Sequence, residues 1–140
     1  MDNIDIFNLF HTMQIFTNHA AIRWTKAFNQ DIGISPLLVL SKLKEHERLK
    51  PSELASKLGL TPGAITNIAD KLIAKHYAVR EHDADDRRVV YVTITDEGRK
   101  ILDKAQEASH KIQLELFEAI SKSEQQQLLH IYQKLISQFT

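Results

Sequence analysis

The stretch Thr61-Pro62-Gly63-Ala64-Ile65-Thr66-Asn67-Ile68-Ala69-Asp70-Lys71-Leu72 decides how this chain is read. Threonine followed by proline is a helix start: the hydroxyl can accept one of the first unpaired amides, and proline presets φ without leaving an amide of its own unpaired. The spacing predicts a helix beginning at Thr61. Ile65, Ile68, Ala69, Leu72 and Ile73 recur every three or four residues and so share one buried face. The opposite face carries Gly63, Thr66, Asn67, Asp70 and Lys71. Just upstream, Pro51-Ser52-Glu53-Leu54-Ala55-Ser56-Lys57-Leu58 reads as a shorter helix closed by Gly59, a residue that readily takes the left-handed conformation at helix ends. Two helices joined through Gly59-Leu60-Thr61 have the spacing of a helix-turn-helix.

The first turn of the second helix has small or hydrogen-bonding side chains and no bulky apolar group, so it can approach base edges and phosphates in a major groove. The same two helices would also serve as a helical hairpin in some other core, and the pattern alone does not decide. The next stretch does. Tyr77 to His82 and Val89 to Thr95 are rich in β-formers, with Val90, Val92 and Ile94 alternating against Val89, Tyr91 and Thr93. Between them lies the polar turn Asp83-Ala84-Asp85-Asp86-Arg87-Arg88. A helix-turn-helix followed by such a hairpin is the order of elements of a winged helix. Arginines at a hairpin tip suit a narrow minor groove, where negative potential is concentrated. Three neighbouring aspartates would repel phosphate if unpaired, so at least one is expected to pair with and orient an arginine. A solvated turn whose charges cancel is the other reading.

Outward from this centre the chain is helical. Residues 4 to 29 carry two largely apolar stripes, Ile4, Phe7, Phe10, Gln14, Thr17, Ala21, Trp24 and Phe28 on one, and Ile6, Leu9, Met13, Phe16 and Ala20 on the other. Two stripes need two partners, which points to packing on the chain's own domain and on a second chain. Gly33-Ile34-Ser35-Pro36 then breaks the helix and is expected to start the next, with Ser35 as cap and Leu37, Leu38, Leu40 and Leu43 on its buried side. Arg48-Leu49-Lys50 is a short link that could add a strand to a small sheet. After the hairpin, Thr95 precedes Asp96 and Glu97 at a helix start, followed by Ile101, Leu102, Ala105, Ala108, Ile112, Leu116 and Ala119. Ser121-Lys122-Ser123-Glu124 is a capping box for a last helix expected to bury Leu128, Tyr132, Leu135, Ile136 and Phe139.

Taken together, Ser52-Glu53-Leu54-Ala55, the helix from Thr61, the turn Asp83 to Arg88 and Ile94-Thr95-Asp96-Glu97-Gly98 resemble the multiple-antibiotic-resistance regulator (MarR) family in content, order and spacing over nearly the whole chain. The most specific part is the wing, where the family's Asp, two residues, Asp, any residue, Arg, and then a strand ending in Leu-Thr-x-x-Gly, is met with Ile94 in place of leucine. The resemblance implies a mainly α (α+β) fold: a winged helix-turn-helix DNA-binding domain over residues 35–98, with N- and C-terminal helices (1–34 and 99–140) forming a dimerisation region. It implies a homodimeric transcription regulator of pseudo-palindromic double-stranded DNA, a repressor released by a small phenolic or lipophilic effector. By position, Arg88 corresponds to the minor-groove arginine, Asp86 to the carboxylate that orients it, and Arg87 to an auxiliary phosphate contact. The expected DNA-binding set is therefore Thr61, Gly63, Ala64, Thr66, Asn67, Lys71, Asp86, Arg87 and Arg88. Phe16, His19, Trp24 and Phe28 are the candidate neighbours of an effector cavity, although core packing accounts for them more economically. Two positions depart from the family: His76-Tyr77 stands where glycine and an apolar residue are usual, and Asn67 stands where many relatives have arginine.

Composition is consistent with this reading and excludes others. The 140-residue chain has 43% hydrophobic residues, enough for one core with helical extensions. No apolar run reaches the roughly 18 residues of a membrane span. Asp2 and Asp5 stand where a signal peptide is basic, so a cytoplasmic protein is expected. With no cysteine, disulfides, thiolate zinc sites and thiol chemistry are excluded. Net charge is zero overall, with a surplus of two positive charges over Lys42 to Lys100, so DNA affinity must come from a few placed cations. There is no glycine-rich phosphate loop and no spaced Ser/His/Asp set, so an enzyme is not expected, nor a cofactor. Seven histidines raise the alternative of a metal-responsive regulator, but none forms a His-x-x-x-His pair; only a site assembled across a dimer would serve. A winged-helix protein-interaction module is the remaining alternative, and it has no need of two tip arginines.

Overall fold

The computed structural model describes residues 3–28 and 32–139. Its elements follow in the order α1 (Asn3–Ala27), α2 (Ile34–Glu45), α3 (Pro51–Leu58), α4 (Pro62–Ala74), β1 (Ala78–His82), β2 (Val90–Ile94), α5 (Asp96–Phe117) and α6 (Lys122–Ser137). The fold is mainly helical with one small antiparallel sheet, the expected winged helix-turn-helix. The predicted end of the first helix at residue 29 and the side chain of Ile4 lie outside the described residues.

The core forms where α2, α3, α4 and the sheet converge, on the fully buried side chains of Leu40, Leu43, Leu54, Ile65, Leu72 and Val92. Ile65, Ala69 and Leu72 are the buried positions of α4, and Ile68 and Ile73 pack partly against the core. Strand β1 pairs with β2 in the register Ala78↔Ile94 to His82↔Val90. The link at Arg48-Leu49-Lys50 adds no full strand, only a single bridge from Leu49 to Val92, bonded in both directions at 3.2 and 2.8 Å.

Helix ends follow local chemistry. Glu53 accepts the Lys50 amide at 3.1 Å at the start of α3, and Gly59 closes that helix at φ 66°. The start of α2 differs from expectation: Gly33, in extended conformation, is the cap, and Ile34 the first helical residue. Pro36 fits two residues further in than predicted because its missing amide would be unpaired anywhere in the first turn. Leu38 is also not part of the buried side, being 48% exposed, and Val39 takes its place.

The joint between hairpin and α5 explains why the strand ends in Ile-Thr-x-x-Gly. Thr95 Oγ1 accepts the Gly98 amide at 3.0 Å and donates to the His76 carbonyl at 2.6 Å, while the Thr95 amide donates to the Tyr77 carbonyl at 3.1 Å. Helix α5 is thereby drawn against the turn that ends α4. The approach is so close that a Cβ at position 98 would stand 2.1 Å from the Tyr77 oxygen.

The terminal helices are exposed. From α5, Ile101, Leu102 and Ala105 enter the core, but no residue of α6 is buried. The expected burial of Leu128, Tyr132, Leu135, Ile136 and Phe139 is not met within one chain: Leu128 is half-buried and the others are exposed, Phe139 by 76%. Helix α1 likewise presents Phe7, Leu9 and Phe10 to solvent.

Candidate nucleic-acid interface

Helix α4 begins as its sequence requires, with Thr61 Oγ1 accepting the Ala64 amide at 3.1 Å and Pro62 at the first position. That bond gives Thr61 a capping role. Thr66 donates its hydroxyl to the Pro62 carbonyl at 3.0 Å, so its outward chemistry is a methyl group and oxygen lone pairs. Gly63 has open space where a Cβ would stand, allowing a ligand backbone to come close. Ala64 is half-buried, while Asn67, Asp70 and Lys71 are exposed. An open groove of about 510 Å³ runs between the start of α2 and α4, with Pro36 on one wall and Asn67 and Lys71 on the other.

The wing is tightly bonded at its tip. Asp83 Oδ2 accepts the amides of Asp85 and Asp86 at 3.2 and 3.0 Å, and the Asp83 amide donates to the Val89 carbonyl at 2.9 Å. His82 Nδ1 lies 2.9 Å from the Arg87 carbonyl. Asp86 then receives Arg88 three times: Oδ1 accepts the Arg88 amide at 3.0 Å and Nε at 3.1 Å, and Oδ2 accepts Nη2 at 3.1 Å. This is the forked carboxylate–guanidinium pairing that fixes orientation as well as distance. The Arg88 side chain, and secondarily its amide, hold the Asp86 carboxyl below its ordinary 3.8, and the same pairing raises the Arg88 guanidinium. Arg88 remains 91% exposed, so a rigidly aimed cation projects into solvent. Arg87 is also exposed.

Two arginines that sequence reasoning did not single out also belong here. Arg80 of β1 pairs with Asp70 on the exposed side of α4, tying the hairpin to that helix. Arg48, in the link before α3, lies 4.0 Å over the Tyr91 ring with Nη2 3.7 Å from Asp83 Oδ1. Both contacts join positions distant in sequence, so no local pattern announces them.

The four candidate effector residues are not gathered in one place. A cleft of about 260 Å³ between α1, α2 and α5 is lined by Trp24 together with Leu37, Leu102 and Ser109. Phe28 is buried against Trp24 at 5.5 Å between ring centroids, Phe16 packs on Phe117 at 5.9 Å, and His19 is exposed. Among the described residues no three acidic or imidazole side chains are grouped to hold a metal ion, and no helix is long and apolar enough to cross a membrane.

Comparison with known proteins agrees with this geometry. The MarR family model matches residues 34–90. The chain is 35% identical over 105 residues to the HTH-type transcriptional repressor MdtR of Bacillus subtilis, a match spanning 74% of this chain and 68% of MdtR. The structure of the transcriptional regulator BldR from Sulfolobus solfataricus superposes with a TM-score of 0.85 at 28% identity, covering 99% of both chains. A mutant of MarR from E. coli, in complex with operator DNA, shares the fold at a TM-score of 0.85 and 22% identity, over 96% of this chain and 99% of that one. The chain therefore belongs to the MarR family, as a transcriptional regulator and not an enzyme.

Proposed function

We propose that this regulator is a cytoplasmic homodimer that binds a pseudo-palindromic operator in double-stranded DNA and represses transcription until a small phenolic or lipophilic effector releases it. The observation that carries the reading is the exposed Arg88, whose guanidinium is held in a fixed direction by two bonds to Asp86. Residues 35–98 form the DNA-binding domain on this reading. Asn67 and Thr66 influence sequence choice, Gly63 and Ala64 allow close approach, Thr61 sets the helix start, Lys71 and Arg87 meet phosphates, and Arg88 enters the minor groove. Residues 1–34 and 99–140 form the dimerisation region, which accounts for the exposed apolar surface of α1 and α6. Repression accords with the name of MdtR. The cleft at Trp24 lies where α1 and α5 meet α2, so an effector there would alter how the terminal helices hold the DNA-binding domain.

The test is DNA affinity against salt for Arg88→Ala and Lys71→Ala, using a duplex selected from random sequence by the full-length chain. Arg88→Ala should weaken binding by roughly fivefold to a hundredfold and flatten the salt dependence by about one unit of slope per subunit. Lys71→Ala should weaken all sequences alike. Wild-type affinity in a folded Arg88→Ala dimer would remove the wing from the mechanism.

A further inference from the structure

Arg48 stands in the link between α2 and α3, outside the segments to which the proposed function assigns DNA contacts. Its backbone is anchored: Leu49 next to it is buried and bonded in both directions to Val92 of β2. From this fixed base the guanidinium carbon lies over the Tyr91 ring, 4.0 Å from its centroid, with Nη2 3.7 Å from Asp83 Oδ1. The other oxygen of Asp83 accepts the amides of Asp85 and Asp86, and the Asp86 carboxylate receives Arg88. Contacts thus run unbroken from Tyr91 through Arg48, Asp83 and Asp86 to Arg88. Asp83 is the more enclosed of these two carboxylates, its side chain 23% exposed against 40% for Asp86.

We propose that Arg48 is a positioning residue for the wing: set over the Tyr91 ring and paired with Asp83, it holds the turn in the conformation that aims Arg88 at DNA. The inference rests on the DNA-binding reading of Arg88. Arginine suits the place because its planar cation can stack on a ring and face a carboxylate together, which the point charge of lysine does less well. The hairpin backbone has its own closures, the Asp83 amide to the Val89 carbonyl and His82 to the Arg87 carbonyl. Loss of Arg48 should therefore loosen the carboxylates of the turn while leaving the strands paired.

A double-mutant cycle separates this role from a direct phosphate contact. Affinity for the selected duplex is measured across salt for Arg48→Ala, Arg48→Lys, Asp83→Asn, Arg88→Ala and the Arg48→Ala/Arg88→Ala pair in the full-length chain. Thermal unfolding monitors the fold, and the Asp86 carboxyl is titrated by NMR without DNA. Arg48→Ala should weaken binding about threefold to tenfold, Asp83→Asn similarly, and Arg48→Lys by less. In the Arg88→Ala background, Arg48→Ala should add no further loss. The Asp86 midpoint should rise toward its ordinary value in Arg48→Ala, since a loosened turn pairs Asp86 with Arg88 less often. Losses that multiply in the double variant would make Arg48 an independent DNA contact and overturn the proposal. So would wild-type affinity and an unmoved Asp86 midpoint in Arg48→Ala beside a weakened Arg88→Ala. Wild-type affinity in Arg88→Ala would overturn the wing reading itself, and this role with it.

Discussion

Arg88 is nearly all in solvent, where a guanidinium ordinarily samples many rotamers, yet two guanidinium bonds to Asp86 restrict it. The restriction matters because ordering a long side chain at the moment of binding opposes association, and a cation ordered beforehand avoids that loss. Proton linkage makes the pair measurable. The Asp86 carboxyl titrates below its ordinary 3.8 in the folded chain, so the pairing contributes fully above that value and is lost as pH falls through the depressed midpoint. Arg88→Ala should raise the Asp86 midpoint toward its ordinary value in an NMR titration, part of the depression persisting through the amide of residue 88, which alanine retains. Because both groups are exposed, the same substitution should leave the melting temperature within a degree or two, on the order expected for a surface pair. A large fall in melting temperature would mean that the pair is structural.

At the scale of elements, two helix junctions position the wing, and each rests on one backbone feature. Helix α4 ends with His76 at φ 65°, a left-handed conformation that glycine takes without steric penalty. The Tyr77 amide donates across it to the Leu72 carbonyl at 2.9 Å, so the cap closes properly even with a side chain that does not favour it. His76→Gly should therefore stabilise the protein by about 0.5 to 1 kcal/mol, the steric relief exceeding the added chain entropy of the unfolded state. Urea unfolding checks it, and a lowered midpoint would show that the imidazole makes a contact worth more than the strain. Gly98 is the opposite case, its conformation ordinary and its surroundings tight. Gly98→Ala sets a methyl against the Ile94 side chain and the Tyr77 carbonyl, and that backbone cannot step aside without moving the hairpin. The expected destabilisation is about 1 to 3 kcal/mol, and DNA affinity should fall as well because the wing shifts on α4.

For the whole molecule, the distribution of apolar surface is the governing fact. Helix α6 buries no side chain, and Phe7, Phe10, Leu135, Ile136 and Phe139 are each about half exposed or more. Apolar surface on that scale, at both ends of one chain, is rarely left to water. The proposed dimer should bury an interface above roughly 2,000 Å², the class of obligate assemblies. Light scattering should give twice the chain mass at micromolar concentration, and Leu135→Glu should dissociate the dimer and abolish DNA binding together. A monodisperse monomer for the native chain would contradict the proposal. Two-fold symmetry would place the half-sites about one helical turn apart, which footprinting can read directly.

What the sequence determined by itself was everything set by short-range chemistry. The Thr61 cap, Gly59 closing α3 and the Ser121 capping box are each read from residues within four positions, and each is found as predicted, whereas of the alternating positions of β2 only Val92 is fully buried. That an aspartate of the turn pairs with an arginine belongs to the same class, and the pair is the one the family resemblance implied, Asp86 with Arg88 two positions on. Tertiary structure decided the rest. Ser35 lost the cap of α2 to Gly33, and Leu38 gave its place to Val39, because the packing of α2 against its neighbours selects which turn and which face are buried. Arg48 reaches the wing across the fold, and Gly98 is demanded by a carbonyl 21 positions earlier. The burial of α6 is decided at neither level. Its apolar stripe is plain in the sequence and uncovered in the single chain, and in the proposed dimer the surface that covers it belongs to the second copy.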